Sequence, residues 1–240
     1  MSMNIEKNIK FSLALTTYNR ADKLIASVKK YECYEDLDEI VIIDDYSEDF
    51  NILNSCEWST NKIKIKQNKK NLGVYLNKIE ALSSATNERV LLFDSDNFFE
   101  ENYLKILKQE LIKSNFDSSL IYSAEKALPN FDYQKRNLSN FIIDKSNWNV
   151  LHNSEGTFLN TGNQFFSNKA INCLVDNLKK DNTNPFAVDS KYINYILIKN
   201  DFKIKCTEGL SYHHMISDDS IYVLTEKDSS NFDNNFNWKI

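Results

Sequence analysis

Two carboxylates one residue apart, Asp94 and Asp96, close the segment Arg89-Val90-Leu91-Leu92-Phe93-Asp94-Ser95-Asp96-Asn97. Side by side on a turn, their oxygens can hold a hard divalent cation. Asp, Ser and Asn are also ordinary turn residues, so the apolar run ahead of them carries the distinction. Residues 90–93 read as a strand buried on both faces, the kind found inside a parallel sheet. Ligands of open α/β sheets bind beyond the carboxyl ends of such strands. A second acidic pair, Asp44-Asp45, follows the apolar strand at 39–43. The three histidines are His152, His213 and His214. Imidazole binds divalent metals readily, and His213-His214 can equally be a surface pair.

The elements that must position these groups alternate along the first half. Residues 11–15 form a short strand, followed by the polar loop Thr16-Thr17-Tyr18-Asn19-Arg20. Residues 21–31 read as a helix, with Leu24, Val28 and Tyr31 on one face. Lys and Ile alternate over 62–66, as in a half-exposed or edge strand. Beyond the turn Asn71-Leu72-Gly73, a helix to about 85 buries Tyr75, Ile79 and Leu82. Residues 100–115 form an amphipathic helix with Glu100 and Glu101 in its first turn, where the helix dipole favours negative charge. A strand follows at 119–124. This alternation predicts an α/β fold, a mostly parallel, doubly wound, twisted sheet flanked by helices. Parallel strands put the loops after Leu15, Ile43 and Phe93 on one edge.

The second half is less regular. Residues 128–163 form a long irregular segment of the kind that supplies binding loops. A strand at 164–167, helices at 169–179 and 188–199 and a last strand at 202–206 follow. The tail from 217 is polar and carries Phe232, Phe236 and Trp238. Ordinary packing is the expectation for these aromatics, with membrane or partner contact the alternative.

The bulk composition narrows the class. A chain of 240 residues suits one large domain, with or without an appended subdomain. An apolar content of 42% supports a sizeable core. A net charge of -5, with basic residues scattered among acidic ones, argues against a nucleic-acid binder with a broad basic face. Cys33, Cys56, Cys173 and Cys206 are spaced neither as a metal motif nor as a small disulfide scaffold. They read as free thiols in a reducing cytosol. Residues 1–10 lack a signal-peptide core, and no apolar run approaches the ~18 residues of a membrane span. A cytoplasmic location is therefore expected.

Taken in order, these stretches resemble the large family 2 of glycosyltransferases. Leu15-Thr16-Thr17-Tyr18-Asn19-Arg20 is similar to that family's opening strand and Thr-Tyr-Asn-Arg loop. Val41-Ile42-Ile43-Asp44-Asp45-Tyr46-Ser47 is similar to its Asp-Asp-Gly-Ser segment. Asn71-Leu72-Gly73 matches its Asn-Leu-Gly turn, and Asp94-Ser95-Asp96 its Asp-x-Asp metal (DXD) motif. Gly162-Asn163 followed by Phe165 resembles its acceptor-side segment. Val188-Asp189 stands where the family has Glu-Asp or a variant, and Glu208-Gly209-Leu210 into Tyr212-His213-His214 is similar to its late histidine. The resemblance covers about 9–220. Tyr46 replaces the usual glycine, Lys78 stands where arginine is common, and Val188 replaces an acid.

The resemblance implies a GT-A (Rossmann-like) fold in one domain over 1–240. A nucleotide-sugar-binding half would occupy about 9–125, an acceptor-binding half about 126–220, and a tail 221–240. It implies metal-dependent, inverting transfer of a hexosyl or N-acetylhexosaminyl group. The sugar would pass from a UDP-sugar donor to a hydroxyl of a glycan or lipid-linked saccharide acceptor, as in cell-surface polysaccharide or glycolipid synthesis. Peripheral association with the inner membrane face goes with that acceptor class. On the nucleotide side it places Thr16, Tyr18, Arg20, Asp45, Gly73, Lys78, Asp94 and Ser95. Asp45 would accept from a uracil N–H, Tyr18 would flank the base, and Lys78 would meet a phosphate. Mn²⁺ or Mg²⁺ would be held by Asp96, supported by Asp94, with His214 at the metal or diphosphate. Asp189 is the candidate general base, or only a helix cap. Trp148, Gly162 and Asn163 are the candidates for the acceptor side. Two other readings compete. A sugar nucleotidyltransferase shares a similar sheet but opens with a glycine-rich loop, and Thr16 to Arg20 contains no glycine. A degenerate homologue would bind nucleotide sugars or a partner enzyme without turnover.

Overall fold

Short apolar runs rich in Val, Ile, Leu and Phe become the central strands, because both faces of a parallel sheet are covered. The computed structural model describes residues 9–151, 163–181, 183–215 and 225–240. In chain order the first half holds β1 (Phe11–Thr17), α1 (Ala21–Tyr31), β2 (Leu37–Asp44), α2 (Phe50–Asn54), β3 (Ile63–Gln67), α3 (Val74–Ser84), β4 (Arg89–Asp94) and α4 (Asn102–Lys113). There follow β5 (Leu120–Leu128), β6 (Phe131–Asp132), β7 (Ile142–Ile143), α5 (Lys145–Leu151), β8 (Phe165–Ser167), α6 (Asn168–Leu178), α7 (Asp189–Lys199), β9 (Lys203–His213) and α8 (Glu226–Asn235).

One continuous sheet runs β3-β2-β1-β4-β8-β5-β9-β7, with β6 paired to β5. The first four strands are parallel to one another, as are β5 and β9. β8 is antiparallel to both β4 and β5, and β7 to β9. The mostly parallel sheet expected from the alternation is therefore observed. β3, with its Lys-Ile alternation, lies at the edge.

Register levels the strand ends. Thr16 is paired with Ile43 on one side and Asp94 on the other, and Asp44 is paired with both Thr17 and Gln67. Side chains alternate across the pleat and feed two cores. Ala14, Val41, Ile43, Val90 and Leu92 pack with Tyr75, Ile79 and Leu82 of α3 and with residues of α6 and α7. Leu13, Leu15, Ile40, Ile42, Leu91 and Phe93 pack with Leu24 and Val28 of α1 and Leu104 and Leu107 of α4. Helices thus cover both faces of the sheet.

Two details depart from the sequence reading. α4 starts at Asn102, so Glu100 and Glu101 precede its first turn rather than fill it. The last strand does not stop near residue 206: β9 continues to His213 because Glu208-Gly209 is taken up as a bulge. Gly209 makes that bulge with φ +79, and its N–H donates to Glu125 Oε2 at 3.2 Å. The tail is folded, with Phe232 of α8 and Phe236 just beyond it edge-on to Tyr192 of α7. The aromatics of the tail pack in the core, the simpler of the two readings. Among the described residues no helix is long and apolar enough to cross a membrane.

Candidate active site

Polar groups converge where β1, β2 and β4 end at one level. The loop after β1 is sewn to the turn after β2. Asn19 N–H donates to Ser47 Oγ at 2.8 Å, Glu48 N–H to Asn19 Oδ1 at 2.9 Å, and Ala21 N–H to Asp49 Oδ2 at 2.8 Å. Asp44 is spent within that turn, accepting from Ser47 N–H at 2.9 Å and Gln67 Nε2 at 3.1 Å. Asn19 and Tyr46 adopt left-handed φ of 52° and 68°. The Tyr46 and Tyr18 rings are left exposed, 56% and 40% respectively.

Asp45 is buried and already engaged. Its Oδ1 accepts from Asn68 Nδ2 (2.9 Å) and Leu72 N–H (2.8 Å), and its Oδ2 from Gly73 N–H (2.9 Å). Asn68 also donates to Asn77 Oδ1 at 3.0 Å. A carboxylate has about four acceptor positions, so room for one further donor remains. The first duty of Asp45 is to fold the Asn71-Leu72-Gly73 turn. Gly73, at φ 83° and ψ 162°, gives that turn a geometry open only to glycine and starts α3.

Lys78 follows one turn into α3. Its side chain is 4% exposed, and its ammonium stands 3.0 Å from Asp189 Oδ2 and 3.3 Å from Asp94 Oδ1. Where the resemblance would have Lys78 meet a phosphate, its ammonium here points inward, between two carboxylates. Burial alone would lower its pKa; Asp189 and Asp94 reverse that and push it well up, so it carries a full charge. Asp189 opens α7 and is 5% exposed. Its burial raises the carboxyl pKa, against the pull of Lys78. No side-chain cap bond accompanies the start of α7, with Val188 at the cap position.

Across the turn after β4, Asp96 Oδ2 takes Arg20 Nη1 at 2.5 Å. Burial raises the Asp96 carboxyl pKa, Asp94 adds to the rise, and Arg20 opposes it. Ser95 is buried between the two aspartates. His214 reaches the same region from the end of β9, its N–H donating to Leu128 O at 2.8 Å. Burial lowers the imidazole's pKa, and Asp96 and Asp94 work against that. The Asn130 amide lies 2.8 Å from Nδ1 and donates to His214 O at 3.1 Å. With Nδ1 accepting from that amide, the neutral ring carries its proton on Nε2. His213 points the other way and stacks on Phe98 at 4.7 Å.

Asp94 and Asp96 are hard oxygen ligands that already hold cationic groups, so their chemistry fits a divalent ion shared with phosphate oxygens. Among the described residues no three His, Cys, Asp or Glu side chains are grouped to hold a metal ion. The expected set Asp94, Asp96 and His214 is therefore not assembled as a three-ligand centre, and a Nε2–H proton makes His214 a donor.

Thr16, Tyr18, Arg20, Asp45, Gly73, Lys78, Asp94, Ser95, Asp96, Asp189 and His214 thus lie on the elements that end or begin around this edge. Two acceptor-side candidates do not. Trp148 is fully buried, donating from Nε1 to Trp238 O at 2.8 Å. Asn163 is buried between β5 and β9, its Oδ1 accepting from Ala124 N–H at 3.2 Å and its Nδ2 donating to Tyr212 Oη at 3.1 Å. Both are held within the core rather than at the sheet edge. Gly162 and His152 lie outside the described residues. Sequence reasoning also missed Asn68, Asn77 and Asn130, whose amides hold Asp45 and His214 in place. Only the spacing of Asn77 within the buried stripe of α3 could have signalled one of them.

Comparison with known proteins bears on the family and the fold. The model of a family described as glycosyl transferase family 2 matches residues 12–175. The fold is similar to S. aureus TarS 1-349 in complex with UDP-GlcNAc, with TM-score 0.64 and 18% identity over 93% of this chain and 64% of that one. It is also similar to the mannosyltransferase PcManGT from Pyrobaculum calidifontis in complex with GDP-Man and Mn²⁺, with TM-score 0.59 and 12% identity over 91% of this chain and 61% of that one. The chain therefore spans less than two thirds of either relative, and at these identities the likeness is one of fold. No curated protein sequence matches.

Proposed function

The chain belongs to glycosyl transferase family 2, and from that membership we propose that it transfers a sugar from a UDP-sugar to an acceptor hydroxyl with inversion. The observation that carries the reading is the buried Asp189, ion-paired to Lys78 at 3.0 Å beside the Asp94-Ser95-Asp96 turn. A base candidate and a cation-binding turn meet at the sheet edge where ligands bind.

In this reading Tyr18 flanks the nucleobase, with Thr16 lining the same pocket, and the remaining acceptor position of Asp45 takes a base N–H. Gly73 lets the backbone approach the nucleotide. Arg20 and the Nε2–H of His214 face the diphosphate. Asp96, with Asp94 and Ser95 beside it, would hold Mn²⁺ or Mg²⁺, which when bound supplies Lewis-acid neutralisation of the leaving diphosphate. Asp189 takes the proton of the acceptor hydroxyl as its oxygen bonds to the anomeric carbon. The bond from that carbon to the diphosphate oxygen breaks, and its electron pair leaves with UDP. One in-line displacement inverts the centre without a covalent intermediate.

The halves 9–125 and 126–220 divide donor from acceptor binding. The acceptor is a glycan or lipid-linked saccharide presented at the cytoplasmic membrane face, a reading that rests on family analogy. The test is incubation with Mn²⁺ and a panel of UDP-sugars, following UDP release with and without saccharide acceptors. Acceptor-stimulated release supports the reading. Nucleotide binding with neither transfer nor slow hydrolysis would replace it with a binding module.

A further inference from the structure

Lys78 sits where a phosphate-binding side chain is expected and faces protein instead. α3 is pinned at its start by the bond from Gly73 N–H to Asp45, and one turn on Asn77 accepts from Asn68. The lysine stem is buried against this fixed helix, and its ammonium lies between Asp94 of β4 and Asp189 of α7. Among the described residues Asp189 Oδ2 makes no hydrogen bond and is held by the Lys78 ion pair, while the Ser190 backbone N–H also bonds the carboxylate. One point charge with three donors therefore joins three elements: the helix behind the nucleotide turn, the strand ending at the cation-binding turn, and the helix carrying the base.

We propose that Lys78 is a positioning residue for the transfer reaction, holding Asp189 in register with the Asp94 turn rather than binding the donor. The inference rests on the transferase reading above. Without the ammonium, Asp189 and Asp94 repel each other and the base leaves its place. A displacement of about 1 Å at a reacting group costs on the order of a hundredfold in rate.

The experiment compares wild type, Lys78→Met, Lys78→Arg, Asp189→Asn and the double variant Lys78→Met/Asp189→Asn, reading UDP affinity by calorimetry and transfer by UDP release. Lys78→Met should lower kcat about a hundredfold while UDP affinity and donor KM stay within about threefold. Lys78→Arg should recover part of kcat. Because Lys78 acts through Asp189, the double variant should be no slower than Asp189→Asn alone. If Lys78→Met does not fold, the double variant, with one carboxylate fewer to compensate, carries the test: unchanged UDP affinity supports the proposal. A parallel loss of UDP affinity would make Lys78 a donor ligand and overturn it, as would Lys78→Met turning over like wild type. A wild type that binds UDP and transfers nothing contradicts the transferase reading, and the affinity comparison then still decides whether Lys78 touches the nucleotide.

Discussion

Arg20 Nη1 lies 2.5 Å from Asp96 Oδ2, so the carboxylate proposed to hold a divalent cation is already paired with a positive group. A cation arriving alone must displace the guanidinium. One arriving with a diphosphate gives it a new anionic partner. Arg20→Gln should therefore raise the affinity for Mn²⁺ without nucleotide about tenfold, a change of about 1.4 kcal/mol, and weaken UDP binding. Asp96→Ala should abolish metal-dependent UDP binding. Titration calorimetry with Mn²⁺ and UDP, separately and together, reads both effects.

The pH dependence follows from Asp189. A base must be ionised, and burial raises the pKa of this carboxyl above its ordinary value despite Lys78. Activity should be full above the raised pKa and fall with one proton as pH drops through it. The acid limb of kcat/KM should thus lie above about 3.9, the unperturbed aspartate value. A limb at or below that value would show that another group governs the rate.

The turn that Asp45 folds can be tested by stability. Asp45→Asn turns an amide toward Leu72 or Gly73 and should cost about 1.5–3 kcal/mol in chemical unfolding. Gly73→Ala meets no atom within 4 Å of the added Cβ, so its cost is purely conformational, about 1–3 kcal/mol. Equal stability of Gly73→Ala and wild type would mean that the turn relaxes.

Trp148→Phe removes the N–H that donates to Trp238 O and should destabilise by about 1–3 kcal/mol. It should leave acceptor KM unchanged. A selective rise in acceptor KM at unaltered stability would return Trp148 to the acceptor side.

The strand ends were legible because parallel strands bury both faces and then meet solvent abruptly: Phe93 to Asp94, and Ile43 to Asp44. The order of these loops also carried the family. The burial of Lys78 was legible in its position; its ion pairs were not. It falls three residues after Tyr75 and four before Leu82, inside the buried stripe of α3, but the carboxylates it meets are distant in sequence. Ion pairs between distant segments leave no periodic trace, so the Arg20–Asp96 pair was equally hidden. Glu208-Gly209 looked like the end of a strand because a bulge and a turn use the same residues. Trp148 and Asn163 fall in or beside an irregular stretch, where no period separates a core residue from a contact residue.

The central claim is that Asp189 is the base of a UDP-sugar transferase. Its most direct measurement is UDP release from a UDP-sugar by Asp189→Asn and wild type in Mn²⁺ with a saccharide acceptor, alongside UDP titration of both. The account predicts UDP affinity within about threefold of wild type and transfer reduced on the order of 10²–10⁴-fold. Asp189→Asn transferring at the wild-type rate would contradict it.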